Sequence, residues 1–303
     1  AILNAVFDVL LNVILPVLLV AGLGGVVARM IGMPVAPLSQ LSFYLLGPAL
    51  VFDGLSTIEL SGGEAAKIVA AVAMSYVATM ALGYGGAAIG GLDRGMRSAV
   101  GLTSATSNGG NMGLPVVLLA FGDSGLDIAV IAFVSLSILT NVIGIFVASL
   151  AGGSARAALT APLRVPSLWA AAMGLLVNAL EIDVPTTIAA SAGTMAQGSI
   201  PVMLIVLGLH LSKRPSFGPA GPMALTVAIR LVAGPFIAWG AVSLLGIDGM
   251  AHDTLIVLGG MPTAVNATII ATQYQARPDF VTKAVIASTI TSIATSTVLV
   301  SLF

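Results

Sequence analysis

Long, nearly uncharged apolar runs dominate this chain and decide which solvent it folds in. A helix needs about 20 predominantly apolar residues to cross the hydrocarbon core of a bilayer. Charged and Pro/Gly-rich punctuation divides the 303 residues into ten such stretches: 5–28, 35–56, 66–90, 98–121, 127–150, 165–180, 190–211, 221–246, 253–274 and 281–303. Only 8% of the residues are charged, against roughly 25% in an ordinary soluble domain. That is too little charge to cover a water-facing surface, so soluble enzymes and soluble binding modules are excluded. A mean hydropathy of +1.10 excludes disorder. A net charge of −1 without a basic cluster removes nucleic acid as a partner, and the absence of cysteine removes disulfides and thiolate metal sites. The expectation is an all-α integral membrane protein whose first partner is the lipid bilayer, with no metal and no cofactor. The first stretch lacks a basic leader and a small-residue cleavage site, so it reads as a span rather than a secretory signal.

The basic residues test the count and orient it. Arg29, Arg94, Arg97, Arg156, Arg164, Lys213, Arg214, Arg277 and Lys283 all fall in odd-numbered loops. The even loops hold Lys67 and are otherwise acidic, with Glu59, Glu64, Asp123, Asp127, Glu181, Asp183, Asp248 and Asp253. A miscounted span would scramble this alternation. Basic loops stay cytoplasmic, so both termini are expected outside, in an inner or plasma membrane.

The second half echoes the first at a nearly constant offset. Pro48 matches Pro201, Asp127 matches Asp279, and the Gly/Asn-rich stretch 107–115 falls on 259–267. The halves are residues 1–150 and 165–303, joined by a connector at 151–164. An odd number of spans in each half makes the repeat inverted, an architecture of many secondary transporters. Spans 4 and 9 are interrupted at matching places. Span 4 carries Asn108, Gly109, Gly110, Asn111, Gly113 and Pro115; span 9 carries Gly259, Gly260, Pro262, Thr263 and Asn266. Each mid-helix Gly costs about 1 kcal/mol and Pro removes a backbone donor. Lipid offers the freed backbone groups no partner, so such breaks belong against protein or a wet cavity. If the two breaks cross, two half-helix N-termini point at the midplane, where partial positive charge suits an anion. Asn108, Asn111, Thr263 and Asn266 then add neutral donors, with Gly113 beside them. The reading is a secondary carrier of a small organic anion, a mono- or dicarboxylate. A channel is the rival, since two midplane breaks also suit a selectivity filter. An intramembrane enzyme is the weaker one. Gly122-Asp123-Ser124-Gly125 resembles a serine-protease signature, but it reads as a four-residue turn between spans, and no His is placed as its base.

SNGGNMGLP in span 4, AIRLVAGP in span 8 and GGMPTAVNATIIATQYQARPDFVTKAVIAST in spans 9 and 10 together resemble the auxin efflux carrier family, which includes plant auxin exporters and bacterial malonate and malate permeases. The resemblance covers essentially the whole chain. It implies ten helices in two inverted repeats, similar in fold to bile-acid/sodium symporters. It also implies a scaffold of helices 1, 2, 6 and 7, a transport unit of helices 3–5 and 8–10, elevator-type alternating access, and homodimers. Asn108 matches an Asn of the family that contacts substrate carboxylate, and Ser167 occupies the place of a second Asn at the start of helix 6. Glu64 and Lys67 resemble an acid/base pair at the start of helix 3, one residue closer together than in the plant proteins.

Isolated polar residues complete the reading. Arg230, inside span 8, is assigned a structural or conformational role, either snorkelling toward the cytoplasmic side or paired with a carbonyl or Asp53, with direct substrate contact as the alternative. Proton coupling would use Asp53 or Glu64. A sodium ion would use the carbonyls freed at Asn111 and Leu258, and uniport needs neither ion. His210 and His252 are placed at the surface of span ends, while Asn141, Asn178 and Gln197 either bond across helices or line a cavity.

Overall fold

The computed structural model describes residues 2–58, 61–151, 165–211 and 218–303. Glu59, Arg156, Arg164, Lys213, Arg214 and nearly all of the expected connector lie outside the described residues. The described chain is all helical: α1 Leu3–Ile31, α2 Val35–Ser56, α3 Gly62–Ile89, α4 Arg94–Ala105, α5 Gly109–Ser149, α6 Pro166–Ala179, α7 Thr186–Leu211, α8 Ala220–Leu244, α9 Gly249–Gly259, α10 Asn266–Gln273 and α11 Pro278–Val300. Seven of them (α1, α2, α3, α5, α7, α8 and α11) are long and apolar enough to cross a membrane. Leucines and aromatics such as Leu23, Trp169, Phe236 and Trp239 stand outward, more than half exposed, as lipid-facing residues do.

Two features depart from ten plain rods. Spans 4 and 9 are split, into α4 and the start of α5, and into α9 and α10. Spans 4 and 5 are joined through α5 itself, so the expected four-residue turn at 122–125 is instead one residue. Gly122, at φ 68° and ψ −161°, is the single non-helical position in the run. At 1.5 Å per residue, 41 helical residues would reach about 60 Å, twice the hydrocarbon thickness. A side chain at that φ would be strained, so glycine is where the run turns.

Prolines explain most of the local irregularity. Five π-turns occur among the described residues; one, Thr140–Gly144 in α5, has no proline in the turn after it, and the other four, in α1, α2, α5 and α8, are centred on Asn12, Tyr44, Asn111 and Leu231. Each of those residues lies four before a proline: Pro16, Pro48, Pro115 and Pro235. A proline ring clashes with the carbonyl four residues back and cannot bond to it. Widening that turn accommodates the ring while the helix continues.

α1, α2, α6 and α7 pack on one another, while α3, α4, α8, α9, α10 and α11 assemble with α5 into a second group. The groups meet mainly where α1, α2 and α7 lie against α5 and where α1 lies against α11. Within the first group, α1 and α7 approach through glycines. A Cβ on Gly208 would sit 2.6 Å from the Ala21 carbonyl carbon and 3.0 Å from the Gly25 nitrogen. Small residues at such a contact let backbones touch, the usual source of helix association in lipid. Gly208→Ala is expected to force the pair apart and cost about 1–3 kcal/mol, read as a lower melting temperature in detergent. Gly198→Ala on the same helix, with no atom near its added methyl, is expected to be neutral.

Two polar contacts tie helix ends together at the surface. Asp93 caps α4 by accepting from the Met96 N–H at 3.0 Å and pairs with Arg277, just before α11, at 2.6 Å. The Met96 amide, helped by the Arg277 guanidinium, holds the Asp93 carboxyl below the usual carboxylate range. Asn178 donates to the Ser56 and Ile58 carbonyls at 3.3 and 3.0 Å, a cross-helix bond joining α6 to the end of α2.

Candidate functional site

The two interruptions meet. Asn108 N–H donates to the Pro262 carbonyl at 2.7 Å and Ala264 N–H to the Thr106 carbonyl at 2.8 Å, which makes Ser107 and Thr263 an isolated antiparallel bridge. Backbone groups that the breaks release are thus consumed by each other, as a lipid-embedded chain requires. Side chains complete the joint. Thr263 Oγ1 donates to the Thr103 carbonyl at 2.9 Å, Ser107 Oγ to the Leu258 carbonyl at 3.0 Å, and the Thr263 N–H reaches Ser288 Oγ at 3.1 Å. Asn108 then starts α5: its carbonyl accepts from Met112 and Gly113 at 3.3 and 3.0 Å.

A cavity of about 550 Å³ lies against this joint. Its crossover wall is Thr106, Ser107, Asn108, Gly110 and Asn111 from the first break, with Ala264, Val265 and Asn266 from the second. These residues lie at and around the N-terminal first turns of α5 and α10, where backbone N–H groups lack helical partners. The opposite wall is Ser167 on α6, Met203 and His210 on α7, and Gln40, Phe43 and Tyr44 on α2. Among the described residues lining it there is no Asp, Glu, Lys or Arg. Asn108 is 3% exposed, and among the described residues its amide nitrogen has no hydrogen-bond partner. A buried amide donor left unpaired costs about 1–3 kcal/mol. Here it lines a space that a ligand acceptor would fill.

The structure therefore brings Asn108, Asn111, Asn266 and Ser167 to one cavity. Thr263 and Gly113 are buried beside it without lining it. Thr263 braces the joint, and Gly113 lies where a Cβ would meet the Leu258 side chain at 2.6 Å. Gly109 borders a separate space of about 50 Å³ next to Arg230. Gly260 caps the end of α9, Pro262 supplies the bridging carbonyl, and Pro115 stands in the first turn after the π-turn. Arg230 bonds to carbonyls and not to Asp53. It is 3% exposed, and its guanidinium donates to Ser104 and Ala105 at 2.9 and 3.2 Å and to Gly259. Asp53 stands half-buried by Gly193 of α7 and lines neither cavity.

Glu64 and Lys67 also stand away from the cavity. Glu64 closes a capping box with Ser61, accepting from its backbone N–H and hydroxyl at 3.0 and 2.7 Å, and Lys67 donates to the Gly246 carbonyl at 3.3 Å. The Leu258 carbonyl, expected to be free for a cation, is taken by Ser107. His210, expected at the surface, is on the cavity wall with Nδ1 2.8 Å from the Val206 carbonyl. Asn141 lines the cavity and donates to Ser137 within its own helix at 2.8 Å. Gln40, Gln273 and Tyr274 were not singled out from sequence, because single polar or aromatic residues near span ends are indistinguishable there from interfacial anchors, and Tyr44, in mid-span, is indistinguishable there from a lipid-facing aromatic.

Comparison with known proteins points the same way. Residues 154–300 match the family described as membrane transport protein. A protein of Methanothermobacter thermautotrophicus named "Uncharacterized transporter" is 26% identical over 248 residues, 81% of this chain and 82% of its own length. A Rhizobium meliloti protein named "Putative malonate transporter" is 25% identical over 205 residues, covering 65% of this chain and 64% of that one. Arabidopsis thaliana auxin efflux carrier component 6 is 25% identical over 136 residues, 43% of this chain but only 24% of the plant protein.

Proposed function

Since the chain belongs to the membrane transport protein family, the family of the auxin efflux carriers, we propose that it is a secondary transporter of a small organic anion, an auxin- or malonate-like carboxylate. One observation carries this reading: the buried amide of Asn108, without a hydrogen-bond partner among the described residues, on the wall of a cavity whose described lining holds no Asp, Glu, Lys or Arg. Each helix N-terminus carries roughly half an elementary positive charge. Two of them facing one space offer about one positive charge, matched to a carboxylate, and Asn108, Asn111 and Asn266 offer amides to orient it. The apolar lining from Phe43, Tyr44, Phe133 and Ile269 suits the body of an organic acid better than a hydrated inorganic ion.

The finer architecture belongs to the same proposal. Pairing α4 with the start of α5, and α9 with α10, gives ten crossings in two inverted halves, residues 1–150 and 165–303. The two packing groups then stand as scaffold (spans 1, 2, 6 and 7) and moving unit (spans 3–5 and 8–10), working by elevator-type alternating access, with the carrier as a homodimer. Gln40, Ser167, His210 and Gln273, at or near helix ends beside odd-numbered loops, all line the cavity. By the positive-inside rule the cavity therefore opens to the cytoplasm, and both termini face outside.

The test is a thermal-shift screen of purified protein against carboxylates, including malonate and indole-3-acetate, with and without sodium. A ligand at a hundred times its Kd stabilises the folded state by about 2.7 kcal/mol, so binders raise the melting temperature. Saturable exchange of labelled binder in liposomes is the expected companion result. Unitary currents, or a flat panel, would sink the carrier.

A further inference from the structure

A broken helix creates two ends of opposite sign, and this crossover contains two of each. α4 ends at Ala105 and α9 at Gly259, while α5 and α10 begin at Gly109 and Asn266. Each C-terminal end carries roughly half a negative charge, so four ends crowded at one depth would largely cancel. No net field would then remain to draw an anion into the cavity.

Arg230 breaks that cancellation. It sits in the π-turn of α8, where Pro235 has widened the helix. From there its guanidinium reaches the carbonyls of Ser104 and Ala105, the last two residues of α4, and that of Gly259, the last residue of α9. Among the described residues no carboxylate pairs with it. One guanidinium charge, about +1, offsets two C-terminal ends of about −0.5 each. The planar fork suits the task, since one side chain must serve acceptors from two helices. At the 152-residue offset the other half places Ala78, which is uncharged, so among the described residues a single cation serves both breaks. Arg230 does not line the large cavity.

We infer that Arg230 is a positioning residue for the anion site: by occupying both negative half-helix ends, it leaves the two positive ends as a net positive pole facing the cavity. This rests on the anion-carrier reading. It assigns the pull on the anion to a residue that never touches it.

The test compares Arg230→Gln, which keeps amide donors for the carbonyls but loses the charge, with Arg230→Lys, which keeps the charge but loses the fork. Both are purified in detergent, checked for fold by size exclusion and circular dichroism, and titrated with malonate and indole-3-acetate. Removing one charge behind the site is expected to weaken both carboxylates roughly ten- to thirtyfold in Arg230→Gln, while Arg230→Lys stays within about threefold of wild type. A hydrogen-bonding brace would give the reverse order. Full affinity in Arg230→Gln, or an equal loss in Arg230→Lys, overturns the inference. So does a Lys variant that fails to fold, because the side chain would then serve the fold and not the field. If only the Gln variant fails to fold, the Lys titration decides alone. Wild-type protein that binds neither carboxylate sinks the carrier reading and this inference with it, and that result is visible before any variant is made.

Discussion

Oxidation of a Gly54→Cys/Val130→Cys variant is expected to stop transport completely, and reduction to restore it. A Cβ on Gly54 of α2 would lie 3.9 Å from Val130 Cβ on α5, close to the mean Cβ separation of a disulfide. The chain contains no cysteine of its own, so no other disulfide can form within it, and a bond between two copies would show as a dimer on a non-reducing gel. α2 belongs to the packing group of α1, α6 and α7, and α5 to the other. If transport slides one group past the other, a covalent bond between them holds the carrier in one state. The matching control is Ser107→Cys/Thr263→Cys inside the crossover. Those residues face each other in the bridge, with hydrogen bonds from Asn108 and Ala264 on either side, the arrangement in which Cα atoms stand about 4.5 Å apart. If the crossover travels as one body, oxidised and reduced forms of the control carry substrate at the same rate. The measurement is uptake of labelled substrate into liposomes before and after a reducing agent. An oxidised Gly54–Val130 variant that still transports would remove the sliding mechanism, and a control arrested by oxidation would mean that the crossover itself must open.

What the sequence conveyed depended on how local the signal was. Apolar length identifies a crossing because lipid thickness imposes it, so α1, α3, α7 and α11 begin and end within a few residues of the expected stretches. The breaks were legible from Asn108 to Pro115 and from Gly259 to Pro262, since Gly and Pro disfavour helix whatever surrounds them. Their meeting was legible only through the repeat offset. Other features were hidden for physical reasons. A single residue at positive φ, Gly122, turns the chain where four polar or small residues look like an ordinary turn. Four of the π-turns follow from prolines, but their effect on Arg230 depends on carbonyls 125 and 126 positions away, which no local pattern encodes. Thr263 looks like a ligand donor from sequence. Its hydroxyl is spent on the Thr103 carbonyl, a choice made by packing between halves of the chain. His210 at a span end reads as surface until α2 and α10 close a wall beside it.

Asn108→Asp is the substitution expected to damage binding most. It keeps the shape of the side chain and exchanges one amide donor for a carboxylate oxygen, so the fold of the crossover should survive. The bonds that hold it use backbone, the Asn108 N–H to Pro262 and its carbonyl to Met112 and Gly113. An ionised Asp there faces a cavity whose described lining contains no Lys or Arg. Two like charges about 4 Å apart repel by roughly 4 kcal/mol at an effective dielectric of 20, so affinity for malonate or indole-3-acetate should fall by a factor on the order of several hundred or more. Asn108→Ala removes the whole amide, donor included, without adding a charge. A hydrogen bond to a charged group is worth about 1.5–3 kcal/mol, which predicts a loss of roughly ten- to a hundredfold and so places Ala between wild type and Asp. Asn141→Ala supplies the comparison, because its amide lines the same cavity but is already satisfied by Ser137; its loss should cost little. The order wild type, Asn141→Ala, Asn108→Ala, Asn108→Asp is what an anion held at the first turn of α5 requires. Equal affinities along that series, with each protein folded, would place the carboxylate elsewhere in the cavity and leave the unpaired amide without a ligand to explain it.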